Sequence, residues 1–205
     1  MENIEIIRLM ATTLYTEQME KRISKEAINE LPLYMLDNET ELITTKEHCL
    51  EALEDIKKSN ILGFDTETRP SFTKGESYSV SLLQLSTENK NYLFRINKIP
   101  FGEELADILA DENIIKAGVA IHDDIKHLNR IRKFKAQGFV DIADLAKEKG
   151  IITLGLRSLA GLILDKRISK KAKLSNWEQP RLTPAQINYA ATDSEVSLKL
   201  YHALK

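Results

Sequence analysis

The sequence predicts an α/β fold in which a mixed sheet is flanked by helices, and three observations carry that prediction. An apolar strand pattern opens at Ile61 and two further β-rich runs follow it. From Gly102 onward helical and strand periods alternate, and a strongly capped helix closes the chain. At 205 residues the chain suits one domain with a substantial core.

Residues 1–43 divide off as a helical extension, and 44–205 hold the main domain. In the extension Met19, Ile23, Ala27 and Leu31 recur every four residues, which predicts an amphipathic helix closed by Pro32. Leu33 to Ile43 reads equally as a short strand or as a loop over the main body. Thr44 with Glu47 has the spacing of a capping box, and Leu50, Leu53 and Ile56 supply the buried stripe of a helix ending near Lys58.

The strand that begins at Ile61 is closed by Arg69-Pro70, since proline removes a ladder donor. Lys74-Gly75-Glu76 reads as a turn, and Ser77 to Thr87 and Tyr92 to Ile96 complete an antiparallel meander. Leu105, Ile108 and Leu109 then mark a helix, and Ile114 to Val119 a strand. A helix over Ile121 to Phe134, a strand over Phe139 to Ile142 and a helix over Asp144 to Lys149 continue the alternation. Leu156, Leu159, Ala160 and Ile163 repeat at helical spacing. Thr183, Pro184 and Gln186 combine an N-cap, a first-turn proline and a capping-box partner, which starts the last helix and carries it to about Ala203.

Composition narrows the function classes. Hydrophobic residues make up 42% and charged residues 29%, ordinary for a globular protein, and a net charge of −2 gives no strongly basic nucleic-acid binder. Contact with an anionic polymer must then come from a local patch or through metal. The lone Cys49 forms no internal disulfide and fits a reduced compartment. The first residues lack the basic start of a signal peptide and no apolar run reaches a membrane span, so a cytoplasmic protein without a membrane contact is expected. Nothing in the sequence points to a protein partner.

Asp65 and Glu67 alternate on one strand face, about 7 Å apart along the backbone. Such a pair is a chelating edge, but a strand leaving the core with two solvated acids gives the same pattern, and the stretch alone leaves both readings open. Tyr189 and Asp193 lie one turn apart on the last helix among small and apolar neighbours. Asp123 and Asp124 open a helix, where caps are the plain reading. The run holding Lys166, Arg167, Lys170, Lys171 and Lys173 is either a solvated face or a phosphate contact surface. His122 and His127, five apart, do not have ligand spacing for a shared ion. Trp177 reads as packing, with base stacking the alternative, and Gln84 should hydrogen-bond within the sheet.

In chain order, Phe64-Asp65-Thr66-Glu67, Lys116-Ala117-Gly118-Val119 followed by Asp124, Leu174-Ser175-Asn176-Trp177 and Asn188-Tyr189-Ala190-Ala191-Thr192-Asp193 resemble the exonuclease motifs of the DEDD superfamily, in its tyrosine-bearing branch. The resemblance covers roughly Ile61 to Leu204 and is similar to ribonuclease D and Werner-type 3'-5' exonuclease domains. It implies a ribonuclease H-like fold with a mixed five-stranded sheet. It also implies hydrolysis of terminal phosphodiesters of DNA or RNA, from a free 3' end, to nucleoside monophosphates. Two divalent ions, Mg2+ or Mn2+, would be held by Asp65, Glu67, Asp124 and Asp193, with Asp65 bridging both ions and Asp123 a bystander. Tyr189 would aim the attacking water, being a poor base at neutral pH. Lys170, Lys171 and Lys173 would contact nucleic acid. The competing class is a nucleic-acid-binding or scaffold domain that kept the fold and lost the chemistry.

Overall fold

The computed structural model describes residues 22–73 and 75–205. Its centre is a six-stranded sheet in the order β1-β4-β3-β2-β5-β6. The strands are β1 (Glu39–Ile43), β2 (Ile61–Thr68), β3 (Val80–Ser86), β4 (Lys90–Phe94), β5 (Ile115–Gly118) and β6 (Phe139–Asp141). Among the described residues the helices are α1 (Lys25–Glu30), α2 (Lys46–Ile56), α3 (Glu103–Ala110), α4 (His122–Ile131), α5 (Ile142–Glu148), α6 (Leu156–Leu164) and α7 (Pro184–Leu204). Strands β2, β3 and β4 form the expected antiparallel meander, and β1, β5 and β6 join it in parallel pairings.

The sheet therefore has one strand more than the five expected. Glu39–Ile43 pairs with Lys90–Phe94 and satisfies backbone donors and acceptors that an open β4 edge would present to solvent. The sheet thus reaches into the stretch that the sequence divides off as 1–43. That entry is tied down from below. The buried Glu195 on α7 accepts from the Tyr34 hydroxyl at 2.5 Å, from Asp37 N at 2.9 Å, from Asn38 N at 3.2 Å and from Asn91 Nδ2 at 2.7 Å. A buried carboxylate with four donors is fully compensated.

Two local expectations shift. Helix α1 starts at the Ser24 cap and buries Ile28, while Ala27 is exposed and Met19 lies outside the described residues. Helix α2 is capped by Thr45, whose hydroxyl accepts from His48 N at 3.2 Å. Moving the cap from Thr44 by one residue places His48 at the third position, so Glu47 forms no capping box. The final helix has the full box, with Thr183 and Gln186 bonded reciprocally. Lys74, at the head of the expected turn, lies outside the described residues.

The layers follow from side-chain alternation along β2. Leu62 and Phe64 point to the face covered by α2, α3 and α4, joining Leu53, Ile56, Leu83, Leu85, Leu105, Leu109 and Leu128. The odd positions Gly63, Asp65 and Glu67 point to the face covered by α7. There Val196, Leu200 and Tyr201 pack with Ile142, Ala146, Leu159 and Ala160 of α5 and α6. Gly63 explains how α7 comes so close: a Cβ at this position would collide with the Ser194 carbonyl. The Ser194 hydroxyl also meets the Ser86 hydroxyl at 2.7 Å.

Candidate active site

The close approach of α7 to β2 brings three acids together. One carboxylate oxygen from each of Asp65, Glu67 and Asp193 lies within 4.8 Å of the other two. Asp65 and Glu67 share the strand face, and the register between β2 and β3 shifts between Glu67 and Thr68. Asp193 arrives from the middle of α7 and is 95% buried, with its exposure only 5%. They line a cleft of about 460 Å³ together with Tyr189, Lys173, Val119, Ala120 and Gly155, a size in the range of about 300–1,000 Å³ usual for ligand sites.

This arrangement is electrostatically unfavourable unless a cation joins it. Two like charges at such separations repel by roughly 3–4 kcal/mol at an effective dielectric near 20. Burial and the charges of Asp193 and Asp124 hold the Asp65 carboxyl well above the usual range. Burial, Asp65 and Asp193 push Glu67 up to about 10, and burial pushes Asp193 up to about 7. Asp193 Oδ1 is moreover buried with no hydrogen-bond partner. An all-oxygen donor set with an unpartnered inward lone pair fits a hard divalent ion, Mg2+ or Mn2+, and gives zinc none of the nitrogen or sulfur ligands it prefers.

Asp124 stands apart from the three. It accepts a hydrogen bond from the Thr66 hydroxyl, and burial raises its pKa. Its neighbour Asp123 is exposed and paired with Lys126 at 3.2 Å. The turn that aims α4 is held by Asp141, which accepts from Ala120 N at 3.0 Å, Ile121 N at 3.3 Å and Ala143 N at 2.9 Å. Ala120 sits there in the left-handed region at φ 58, a conformation unfavourable for a residue with a Cβ and sustained by those bonds. His122, Asp141 and Asp144 form a second acidic group, but the Asp141 oxygens are already committed to this turn.

The tyrosine is held by the tryptophan. Trp177 is fully buried and its ring lies 6.1 Å from that of Tyr189. The Tyr189 hydroxyl lies beside the Asp193 carboxylate, and burial with the Asp193 and Glu67 charges raises its pKa, so the phenol stays protonated. The basic run divides. Arg167 pairs with the chain at Leu33 and donates to the Leu31 carbonyl at 2.9 Å. Lys170 and Lys171 are exposed, and neither lines the cleft. Lys173 does, close enough to draw down the pKa of Asp65, Glu67 and Asp193 against their other shifts. Gln84 departs from expectation: both amide atoms are buried without a hydrogen-bond partner. It projects perpendicular to the sheet, directly across from Asp65, where the ladder groups are out of reach.

A family model described as 3'-5' exonuclease matches residues 40–205. The chain belongs to the 3'-5' exonuclease family. R431 of Acanthamoeba polyphaga mimivirus, which bears the name of a 3'-5' exonuclease, is 36% identical over 169 residues, spanning 72% of this chain and 40% of that protein. The mouse bifunctional 3'-5' exonuclease/ATP-dependent helicase WRN is 35% identical over 155 residues, spanning 73% of this chain and 11% of that protein. The chain thus spans less than half the length of either relative. Escherichia coli RNase D, an exoribonuclease involved in structured RNA processing, shares the fold with a TM-score of 0.75 at 23% identity, covering 80% of this chain and 44% of that chain.

Within this exonuclease domain, sequence reasoning missed Thr66, Asp141 and Gly63. Gly63 left a signal, since a lone glycine in an apolar strand marks a close backbone approach, and so did Asp141, an aspartate at the N-cap of α5. Thr66 works through a partner 58 positions away, and the two bonds by which Asp141 aims α4 reach back 20 and 21 positions, which no local pattern encodes.

Proposed function

We propose that this domain hydrolyses the terminal phosphodiester at the 3' end of a nucleic-acid strand and releases nucleoside monophosphates, as a tyrosine-bearing member of the DEDD superfamily. The observation that carries the reading is the meeting of Asp65, Glu67 and Asp193 oxygens within 4.8 Å in a cleft that also holds Tyr189 and Lys173. Asp65, Glu67 and Asp193 would hold a divalent ion, Mg2+ or Mn2+, and Asp65 would hold a second, with Asp124 acting on it directly or through water. What such ions supply is Lewis acidity toward water and toward phosphoryl oxygen.

The protein's own groups account for the rest. Tyr189 keeps its proton at neutral pH, so it donates a hydrogen bond and orients, and does not act as a base. Lys173 offers one positive charge to a phosphate at the rim of an otherwise acidic cleft. Helix α6 starts at Gly155 without a side-chain cap, and Gly155 and Leu156 face the cleft, so its free N–H groups and dipole also favour an anion.

The deciding experiment follows time-dependent release of mononucleotides from matched single-stranded DNA and RNA oligonucleotides with Mg2+, with Mn2+ and with chelator. Metal-dependent release from the 3' end is expected, and the ratio of the two rates sets the preferred sugar. Binding without any release from either strand would favour the scaffold reading.

A further inference from the structure

Beside the acidic cleft runs a second groove of about 380 Å³, lined by Arg69, Pro70, Phe72, Tyr78, Leu174 and Asn176 among others. It is continuous with the cleft, because Pro70 and Leu174 line both. Phe72 is 84% exposed and Leu174 69% exposed, two of the most exposed large apolar side chains among the described residues. Neither ring nor isobutyl group serves the core, so both stand free at the mouth of the proposed site. The groove is also braced. The Arg69 guanidinium lies 4.7 Å over the Tyr78 ring and 3.3 Å from Glu178, which fixes a cationic and aromatic part of the lining.

We propose that this groove takes the base next to the terminal nucleotide, with Phe72 as its stacking platform. The inference rests on the exonuclease reading. If the terminal phosphodiester lies at the acids, the remaining strand must leave the cleft, and its exit by way of Pro70 and Leu174 leads directly into the groove. An exposed phenyl ring, an arginine held flat and a tyrosine are the groups on which unpaired bases stack, and stacking is tolerant of base identity. The nearby Lys173 gives the connecting phosphate a cationic neighbour. The occupant is therefore a single-stranded segment of nucleic acid, read by its π-face and not by its hydrogen-bonding edge.

The test compares two oligonucleotides that differ at the penultimate position, one carrying a base and the other an abasic residue, with the wild-type chain, Phe72→Ala and Phe72→Trp. Wild type should prefer the intact strand about tenfold in kcat/KM. Phe72→Ala should lose that preference and Phe72→Trp should keep it. Because Phe72 is exposed, neither substitution threatens the fold. An equal preference in wild type and Phe72→Ala overturns the groove assignment. Should wild type cleave neither strand, the exonuclease reading falls, and fluorescence anisotropy of the same two strands still decides the groove, since only an intact penultimate base should bind more tightly to wild type than to Phe72→Ala.

Discussion

The indole of Trp177 packs against the phenol of Tyr189, with ring centroids 6.1 Å apart and planes inclined by 42°. That contact fixes the rotamer that sets the tyrosine hydroxyl beside Asp193. Tyr189→Phe removes the hydroxyl proposed to orient the attacking water and should slow single-turnover hydrolysis by about tenfold or more, with Mn2+ affinity retained. Trp177→Phe loosens the same ring and should give a smaller loss of the same kind. Unaltered single-turnover rates in Tyr189→Phe would argue against a positioning role.

Asp65→Asn and Asp193→Asn should each abolish metal-dependent degradation while the fold persists. Both remove a charge that burial disfavours, so each should melt no lower than wild type in chelator. A gain of about 1 kcal/mol would appear as roughly 2–4 °C in Tm for a chain of this size. Circular dichroism melts and nucleotide release together check the pair of outcomes, and full activity in either variant would falsify the site assignment.

Stability without divalent ions should depend on pH. Burial raises Asp193 from 3.8 to about 7, and burial with neighbouring acids raises Glu67 from 4.5 to about 10. A raised carboxyl pKa means that the folded state keeps protons the unfolded chain has released. The favourable contribution is therefore complete below the unfolded pKa and declines as pH climbs through the folded one. Tm in chelator should fall between pH 3.8 and about 7 on account of Asp193 and between 4.5 and about 10 on account of Glu67. Saturating Mn2+ should flatten that fall, and Asp193→Asn should make its lower part shallower. A Tm independent of pH in chelator would contradict the buried-acid account.

Within the basic run, position separates the lysines. Lys173→Ala should raise KM for an oligonucleotide and lower the salt slope of binding by about one. Lys170→Ala and Lys171→Ala, which lie outside the cleft, should do less in both respects. Fluorescence anisotropy from low to moderate salt resolves the three, and equal slopes would return Lys173 to the solvated surface.

Asp141→Ala leaves three backbone N–H groups without their acceptor and frees the strained turn at Ala120. A loss of about 1–3 kcal/mol is expected in urea unfolding, with Asp141→Asn milder because its amide oxygen still accepts. Equal stability of Asp141→Ala and wild type would show that the turn holds itself.

Much of this architecture was written in local patterns. The reciprocal cap of Thr183 and Gln186, the Arg69-Pro70 stop and the helix-strand alternation after Gly102 involve neighbours only a few positions apart. The cap one residue further on at Thr45, and the pairing of Glu39–Ile43 with β4, escaped because each turns on a partner elsewhere or on one residue of register. Of the site, the shared face of Asp65 and Glu67 and the one-turn spacing of Tyr189 and Asp193 follow from the periods of strand and helix.

By itself, then, the sequence determined which acids share a strand or a helix face, because those relations depend on backbone geometry over a few residues. Only the tertiary structure decided that α7 presses on β2 at Gly63 and so joins Asp193 to the strand's acids, that Lys173 alone among Lys170, Lys171 and Lys173 lines their cleft, and that Phe72 opens beside it. The reason is physical. Packing of α7 on the sheet is set by burial summed over many distant side chains, and no short stretch of chain carries that sum.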